Sequence, residues 1–310
     1  MTMNIGAIGI DSSHLPEFTR RFKELHDSGK TPCKVTHFFD PGTHEWQHPD
    51  GPEQSAKDVA NWRKTALELG AQQVDSMDVL LDAVDGVMVL AINGHRHLGL
   101  ATPALTRGMP TYIDKPMTCS PDEARQILAM ARESGARAYS ASSLRFPEEI
   151  QKIDLDKTGP IVAIDAFGNG ELLDMMPHLW HYGCHTIEMV DAIFKKSGQG
   201  AGVKRVSAVA MPDRHLVDME YRDGRYVRIR MDRKASWAFG ATIHGEKGVD
   251  QFVVDFGPVY TRLVEGMTGF FAGGRAPAEL RDLVENVAVM EAGNRSIGSD
   301  GAWIEVPEVV

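Results

Sequence analysis

Cysteine is scarce in this chain of 310 residues, and its three cysteines, Cys33, Cys119 and Cys184, lie far apart. An odd count without a CxxC pair argues against both a disulfide framework and a zinc knuckle. The longest strongly apolar run, residues 87–92, is far shorter than the roughly 20 residues that cross a bilayer. The first residues have no basic region ahead of the apolar run, so no signal peptide is expected. We therefore expect a cytoplasmic protein.

Basic residues are also few relative to acidic ones, with 33 Lys and Arg against 43 Asp and Glu and a formal net charge of −10. No basic run offsets this balance, which argues against a nucleic-acid partner or an anionic membrane surface. The chain has no G-x-S-x-G, H-E-x-x-H or Walker loop, so common hydrolase and nucleotide-hydrolysing signatures are missing. A small-molecule partner is the remaining expectation.

The first part of the chain, residues 1–145, alternates short apolar runs with amphipathic stretches. This alternation is typical of an α/β domain with a doubly wound parallel sheet, the Rossmann architecture. A polar segment at residues 41–54 interrupts it and is predicted to be an inserted loop. The strands are predicted at residues 4–10, 34–39, 74, 86–92, 111–113 and 136–141.

The second part, residues 146–310, has a different pattern. Short runs that alternate apolar and polar residues are separated by tight turns, which indicates a mostly antiparallel sheet in an α+β domain. The predicted strands are residues 160–167, 203–211, 216–221, 225–232, 235–245 and 249–255, and the predicted helices are residues 177–196 and 277–296.

Several short motifs are similar to those of one family. An apolar strand at residues 85–93 is followed by His97, and residues 108–116 end in Asp114-Lys115-Pro116 where the family has E-K-P. Further on, residues 181–185 stand where the family has D-x-G-x-H. With these motifs the chain resembles the Gfo/Idh/MocA oxidoreductases, and residues 144–146 and 291–296 extend the similarity over nearly its whole length.

The resemblance implies a Rossmann domain, an antiparallel substrate and oligomerisation domain, and hydride transfer between NAD and a sugar-, cyclitol- or polyol-like substrate. It assigns Lys115 and His185 to the reacting hydroxyl, with His181 assisting in the role usually taken by Asp. Oxidising a secondary alcohol needs a base for the hydroxyl proton and a cation beside the developing alkoxide, which these side chains can supply. A homo-oligomer, dimer or tetramer, is also expected.

The dinucleotide loop departs from G-x-G-x-x-G, because only its first glycine, Gly9, is present. Gly9, Ser12, Ser13 and Asp40 are the expected cofactor contacts, and Asp40 favours NAD over NADP. Asp11 stands in place of the second glycine, where a like charge near 5 Å costs about 3 kcal/mol unless the side chain turns away. Alternatively, Asp11 and Ser13 cap the first helix.

Asn93, His97 and Asp114 complete the expected cofactor site. Asn93 and His97 follow the fourth strand, where the family places groups near the nicotinamide. Asp114 precedes the Lys-Pro pair of the motif. For Asn93 and His97 a second interpretation is open, in which Asn93 caps a helix and His97 is exposed.

His178, His181 and His185 are spaced i, i+3 and i+7, which places them on one face of the predicted helix, and Glu188 extends that face. Such a face can contact substrate, hold zinc or manganese, or pack structurally. His178 and Arg145 are the expected substrate contacts, and no metal site is assigned. Arg145 is also expected to pair with a carboxylate.

Two other functions are compatible with the sequence. The weakened phosphate loop and the histidine-rich face would suit a lyase or isomerase on the same fold, with or without metal assistance through His178, His181 and His185. A non-catalytic protein that binds a small ligand is the second alternative. NAD binding and bound metal distinguish the three functions.

Overall fold

The computed structural model describes residues 2–199 and 202–309, and the chain forms two compact units. The first unit consists of Met1–Thr118, Asp122–Ala141 and Val264–Leu283, and the second of Cys119–Pro121, Ser142–Leu263 and Val284–Val310. The boundary after residue 145 expected from the sequence stays a prediction. No helix of the described residues is both long and apolar enough to span a membrane.

The first unit contains a six-stranded, wholly parallel sheet in the order β3-β2-β1-β4-β5-β6. This order is that of the dinucleotide-binding fold, so the Rossmann prediction is confirmed. Its elements are β1 Met3–Ile8, α1 His14–Asp27, β2 Cys33–Phe39, α2 Pro52–Glu68, β3 Gln72–Val74, α3 Met77–Ala83, β4 Gly86–Val89, α4 His97–Thr106, β5 Thr111–Ile113, α5 Pro121–Ser134 and β6 Ala138–Ser140.

Burial explains why these segments form strands and helices. All four residues of β4 are buried, as expected for a central parallel strand covered by helices on both faces. Helix α1 buries an apolar stripe that includes Phe18, Phe22 and Leu25. Helix α2 begins at Pro52, inside the segment predicted as a loop, because proline suits the first helical position although few apolar residues mark the helix.

A segment from late in the chain completes the first unit. Helix α9, Val259–Phe271, was not expected, and its C-terminal part belongs to this unit. The ring of Phe271 packs so closely on Gly86 that a Cβ there would lie 2.8 Å from the ring. Arg137 donates hydrogen bonds to the carbonyl oxygens of Phe270 at 2.5 Å and Gly274 at 2.8 Å. These contacts tie the segment to the end of the parallel sheet.

The second unit contains a seven-stranded sheet in the order β12-β11-β7-β10-β9-β8-β13. Only β10 and β7 pair in parallel among these strands, so the mostly antiparallel sheet is confirmed. The elements are α6 Glu148–Lys152, α7 Leu155–Thr158, β7 Ile161–Asn169, α8 Gly183–Lys196, β8 Val203–Met211, β9 Arg214–Tyr221, β10 Tyr226–Asp232, β11 Gly240–Gly245, β12 Val249–Val253, α10 Leu280–Ile297 and β13 Ile304–Glu305.

The start of α8 differs from the prediction. The helix begins at Gly183 and not at residue 177, and the preceding residues form turns. One physical reason is His178, whose φ of 55° lies in the left-handed region and cannot continue a right-handed helix. The expectation that His178, His181 and His185 share one helical face was therefore wrong, since only His185 is on the helix.

Candidate functional site

The loop after β1 keeps the close approach that a dinucleotide site requires. Gly9 has φ of 102°, and a Cβ at this position would lie 2.6 Å from the backbone nitrogen of Ala91. Only glycine satisfies both constraints without strain. The loop therefore runs directly over the end of β4, at the point where the strand order of the sheet reverses and where ligands bind in such sheets.

Asp11 is turned into the protein. Its Oδ2 accepts a hydrogen bond from the Glu45 N–H at 2.9 Å and its Oδ1 accepts one from the Ile92 N–H at 3.3 Å. Burial raises the pKa of the Asp11 carboxyl, and the two N–H donors offset part of that shift. The carboxylate is therefore held by the loops after β2 and β4 and is not presented to solvent.

Glu45, which the sequence analysis did not single out, connects the same loops. It accepts a bidentate pair of hydrogen bonds from Arg96, at 3.1 and 2.9 Å, and a third from the Asn93 amide at 3.0 Å. Hydrogen bonds from Arg96 and Asn93 hold the pKa of Glu45 below its usual range. The Asn93 Oδ1 accepts from the His95 N–H, so Asn93 has the capping geometry of the second interpretation.

His97 is completely buried, contrary to the exposed alternative. Its Nδ1 lies 2.9 Å from the carbonyl oxygen of Pro116 and 3.2 Å from that of Met117, and its Nε2 lies 2.7 Å from the carbonyl oxygen of Ala91. The ring therefore joins the loop after β4 to the segment that follows Lys115. These contacts hold two backbone segments together. The expected role of His97 at the cofactor stays a prediction.

The start of α1 supplies donors beside this loop. Ser12 is buried and its hydroxyl accepts from the His14 N–H at 3.2 Å, whereas Ser13 is exposed at the N-terminus of the helix. A helix N-terminus favours an anion because its first N–H groups point outward. Ser13 is the N-cap residue but its side chain makes no capping hydrogen bond, so the capping alternative is not what the structure shows for it.

Asp40, at the end of β2, is shielded by its own loop. Its Oδ1 accepts from the Gly42 N–H at 2.8 Å, and both carboxylate oxygens lie 3.0 Å from Nε2 of the half-exposed His44. Asp40 directly follows the last residue of β2, and in this fold an acidic residue there recognises a ribose hydroxyl.

Asp114 lies in a buried cluster at the end of β5. It contacts Nδ1 of His14 at 2.5 Å, accepts from the Lys115 N–H at 2.8 Å and lies 3.3 Å from the Tyr112 hydroxyl. Burial alone would raise the pKa of Asp114, but His14 and Lys115 outweigh it and lower the pKa below its usual range. His14 occupies the position of the third glycine of the fingerprint, a signal in the sequence that was not used.

In the second unit, His185 is buried in the first turn of α8. Its Nδ1 lies 2.7 Å from the hydroxyl of Ser142, a residue that the sequence analysis missed. His181 is also buried, in the turn before the helix, and its carbonyl oxygen accepts a hydrogen bond from the Cys184 thiol. The ring of Tyr182 lies edge-on to the rings of both histidines.

Arg145 forms a buried ion-pair network, as its alternative role predicted. Its Nε donates to Glu188 and its Nη2 to Asp191, both at 2.6 Å. Burial alone would lower the pKa of Arg145, but the two carboxylates outweigh it and raise the pKa. Burial raises the pKa of Glu188, and Arg145 opposes this. The guanidinium is thus committed to protein carboxylates, and contact with substrate stays a prediction.

His178 belongs to a second cluster that the sequence did not reveal. Its Nδ1 lies 3.3 Å from Nε2 of His215, and Nδ1 of His215 lies 2.8 Å from the Arg233 guanidinium. Because arginine only donates, His215 accepts at Nδ1. Burial, with Arg233 and His178, lowers the pKa of His215 to about 4. His215 is therefore neutral near pH 7.

Within residues 2–199 and 202–309, no group of three or more His, Cys, Asp or Glu side chains is placed to hold a metal ion. The metal-binding alternative assumed that His178, His181 and His185 share one helical face. Because α8 starts only at Gly183 and His178 contacts His215 on β9, they do not.

Comparison with known proteins shows a similarity to one family. The sequence model of the Gfo/Idh/MocA oxidoreductase family, described as having an NAD-binding Rossmann fold, matches residues 3–142. No curated protein matched the chain.

Solved structures share the fold over the whole chain. GenD2 from gentamicin A biosynthesis, in complex with NAD, is 15% identical, with a TM-score of 0.76 over 99% of this chain and 97% of its own. The WlbA dehydrogenase from Bordetella pertussis, in complex with NADH and UDP-GlcNAcA, is 14% identical, with a TM-score of 0.76 and coverage of 99% and 98%. Apo scyllo-inositol dehydrogenase from Lactobacillus casei is 14% identical, with a TM-score of 0.76 and 98% coverage of both chains.

The residues at the end of β1 and β2 fit a dinucleotide. Gly9 provides a cradle that a Cβ would fill, Asp11 is withdrawn, Ser13 is exposed beside the helix N-terminus, and Asp40 ends β2. The expectations of a Rossmann domain, of NAD as cofactor and of a dehydrogenase agree with the family match. Over residues 3–142, the chain is similar to the Gfo/Idh/MocA family of NAD-binding oxidoreductases.

Proposed function

We propose that this protein is an NAD-linked dehydrogenase that oxidises a sugar-, cyclitol- or other polyol-like alcohol. The observation that carries the proposal is the loop after β1, where Gly9 keeps the close approach to Ala91 while the Asp11 carboxylate is held by backbone donors. The negative charge of Asp11, which in the sequence argued against pyrophosphate binding, therefore points into the protein.

The cofactor contacts follow from the first unit. The N–H groups and hydroxyl at Ser12 and Ser13 would hold the pyrophosphate at the N-terminus of α1. Asp40 would accept from a ribose hydroxyl and repel a 2′-phosphate, which favours NAD over NADP. Asp114 would act indirectly, because its carboxylate fixes the backbone N–H of Lys115.

The chemistry supplied by bound NAD is acceptance of a hydride from the carbinol carbon. We assign the charge of Lys115 to stabilisation of the developing alkoxide and His185 to the hydroxyl proton, with His181 assisting. His178 and Arg145 stay proposed substrate contacts. The names of the similar structures, which include an inositol dehydrogenase and an enzyme with a bound sugar nucleotide, support a polyhydroxy substrate.

Two further proposals concern the setting of the enzyme. The three cysteines are buried and lie far apart in the sequence, which supports a reducing, cytoplasmic location. A homo-oligomer, dimer or tetramer, is supported by apolar side chains exposed on sheet strands of the second unit, among them Val162, Val249 and Val253.

Calorimetric titration with NAD, NADH, NADP and NADPH tests the cofactor assignment. We expect dissociation constants on the order of micromolar for NAD or NADH and much weaker binding of NADP. Asp40→Ala should weaken NAD binding by about 10- to 100-fold, because it removes a hydrogen bond to a charged acceptor. Asp50→Ala, in the same loop, is the matched control and should bind as the wild type does. Equal binding of NAD by both variants would refute the role of Asp40.

A polyol screen that follows NADH formation tests the reaction. Lys115→Met and His185→Gln should each lower kcat by about 10²- to 10⁴-fold while NAD affinity changes little. Folded protein that binds none of the four nucleotides would overturn the proposal.

A further inference from the structure

The hydroxyl of Ser142 faces the imidazole that the proposed reaction needs. Ser142 Oγ and His185 Nδ1 are 2.7 Å apart, and both side chains are buried. The sequence motif led us to expect orientation from the residue four positions before His185, which is His181 here and Asp in the family. The structure provides a neutral hydroxyl from a different segment instead.

Ser142 is itself fixed against α8, the helix that carries His185. Its backbone N–H donates to Glu188 Oε2 at 2.8 Å, and the same oxygen accepts from Arg145 at 2.6 Å. Its Oγ accepts from the Leu144 N–H at 3.1 Å, which caps a short 3₁₀ turn. The hydroxyl oxygen is thus held in place by the backbone on one side and the buried ion pair on the other.

A hydroxyl in this position can serve both protonation states of the ring. Ser142 Oγ can accept a hydrogen bond from Nδ1–H both when the ring is neutral, with its lone pair at Nε2, and when the ring is the imidazolium. A proton can therefore be exchanged at Nε2 without loss of the Nδ1 contact. A carboxylate would also accept from Nδ1–H, but its negative charge would in addition stabilise the imidazolium.

We propose that Ser142 is the positioning residue for His185, holding its ring for proton exchange in place of the carboxylate that the family motif supplies. This inference rests on the proposed function, because it assigns a purpose to the orientation of His185. Arg145 and Glu188 serve the same end by fixing the backbone of Ser142.

The ring nitrogens of His185 give a readout that does not require turnover. In full-length protein with ¹⁵N-labelled histidine, the His185 signals are assigned by their loss in His185→Gln. We expect one ring tautomer in the neutral wild-type imidazole, a mixture of both in Ser142→Ala, and a single tautomer again in Ser142→Thr, which keeps the hydroxyl. A tautomer mixture in the wild type, or an unchanged single tautomer in Ser142→Ala, would overturn the proposal.

Kinetics provide the second readout. Ser142→Ala should lower kcat by about tenfold with KM for NAD unchanged, and Ser142→Thr should restore most of the rate. Two controls separate positioning from folding: Ser143→Ala changes the neighbouring buried serine, and Ser76→Ala removes the serine cap of α3. Both should keep the wild-type kcat. Loss of rate in Ser76→Ala equal to that in Ser142→Ala would assign the effect to stability.

The two proposals can fail separately. A fixed His185 tautomer that depends on Ser142, in a protein that oxidises no polyol, supports the positioning contact and refutes the proposed function. Polyol oxidation that is unaffected by Ser142→Ala, together with an unchanged tautomer, supports the function and refutes the role of Ser142.

Discussion

Replacement of Asp11 distinguishes two possible effects of its charge, repulsion of the NAD pyrophosphate and stabilisation of the surrounding loops. Considered as a charge at the phosphate loop, Asp11 should weaken NAD binding, and its removal should strengthen binding by about two orders of magnitude, or 3 kcal/mol. In the structure the carboxylate accepts from the N–H groups of Glu45 and Ile92. Its removal should therefore mainly destabilise the fold.

The magnitude follows from those two hydrogen bonds. A hydrogen bond to a charged group contributes about 1.5–3 kcal/mol, and the bond to Ile92, at 3.3 Å, is the weaker of the two. Burial of the carboxylate, which raises its pKa, offsets part of this gain. We expect Asp11→Ala to lower the free energy of unfolding by about 2 kcal/mol and to change NAD affinity by less than about tenfold.

The raised pKa gives the sign of a pH dependence. The folded state binds the Asp11 proton more tightly than the unfolded state, in which the carboxyl has an ordinary pKa near 3.8. The contribution of Asp11 to stability therefore decreases as the pH rises through the window between this value and the raised pKa of the folded state. The difference in unfolding free energy between wild type and Asp11→Ala should thus be larger below the window than at pH 7.

Urea unfolding at several pH values, with calorimetric titration of NAD, measures both effects. Asp50→Ala is the control for loss of a carboxylate on an exposed part of the loop after β2. Unchanged stability of Asp11→Ala, combined with about 100-fold tighter NAD binding, would refute the stabilising role of Asp11. It would show that the Asp11 charge repels the pyrophosphate, as the sequence suggested.

Three other predictions test separate features. Because the pKa of His215 falls from 6.5 to about 4 on folding, the wild type should lose stability when the pH is lowered from 6.5 to 4. In urea titrations this loss of unfolding free energy should exceed that of His215→Gln by at most about 3 kcal/mol. Gly9→Ala should destabilise the protein by at least about 1–3 kcal/mol and abolish NAD binding, whereas Gly42→Ala, also at positive φ but with open space around it, should bind NAD normally. Gly86→Ala should lower the thermal midpoint by overpacking against Phe271, at a cost of about 1–3 kcal/mol, and an unchanged midpoint would show that α9 does not constrain β4.

The local pattern of the sequence was sufficient for the parallel sheet. Runs such as β4 are apolar on both faces, and this requires helices on both sides whatever the rest of the chain does. The alternation along β10 likewise predicted a half-buried strand in a mostly antiparallel sheet. Periodicity was less informative for α2, whose few buried residues leave hardly any apolar stripe, and for the start of α8, where His178 adopts positive φ.

Some residues of the candidate site could likewise be identified from the sequence, and others could not. Residue type and order along the chain were enough to single out Gly9, Asp40, Lys115 and His185, because each follows a recognisable strand or belongs to a motif. The partners of the buried polar residues at the site, Asp11 and His185 among them, were not predictable. Glu45 and Ser142 meet Asp11 and His185 only through contacts between segments that are distant in sequence.

The sequence by itself thus determined the two kinds of sheet and the similarity of residues 3–142 to one oxidoreductase family, since periodicity and short motifs are local properties. The tertiary structure decided the direction in which Asp11 points, the residue that holds His185 and the commitment of Arg145 to Glu188 and Asp191. Each of these depends on which distant polar group is available to satisfy a buried one, and only the folded chain determines that.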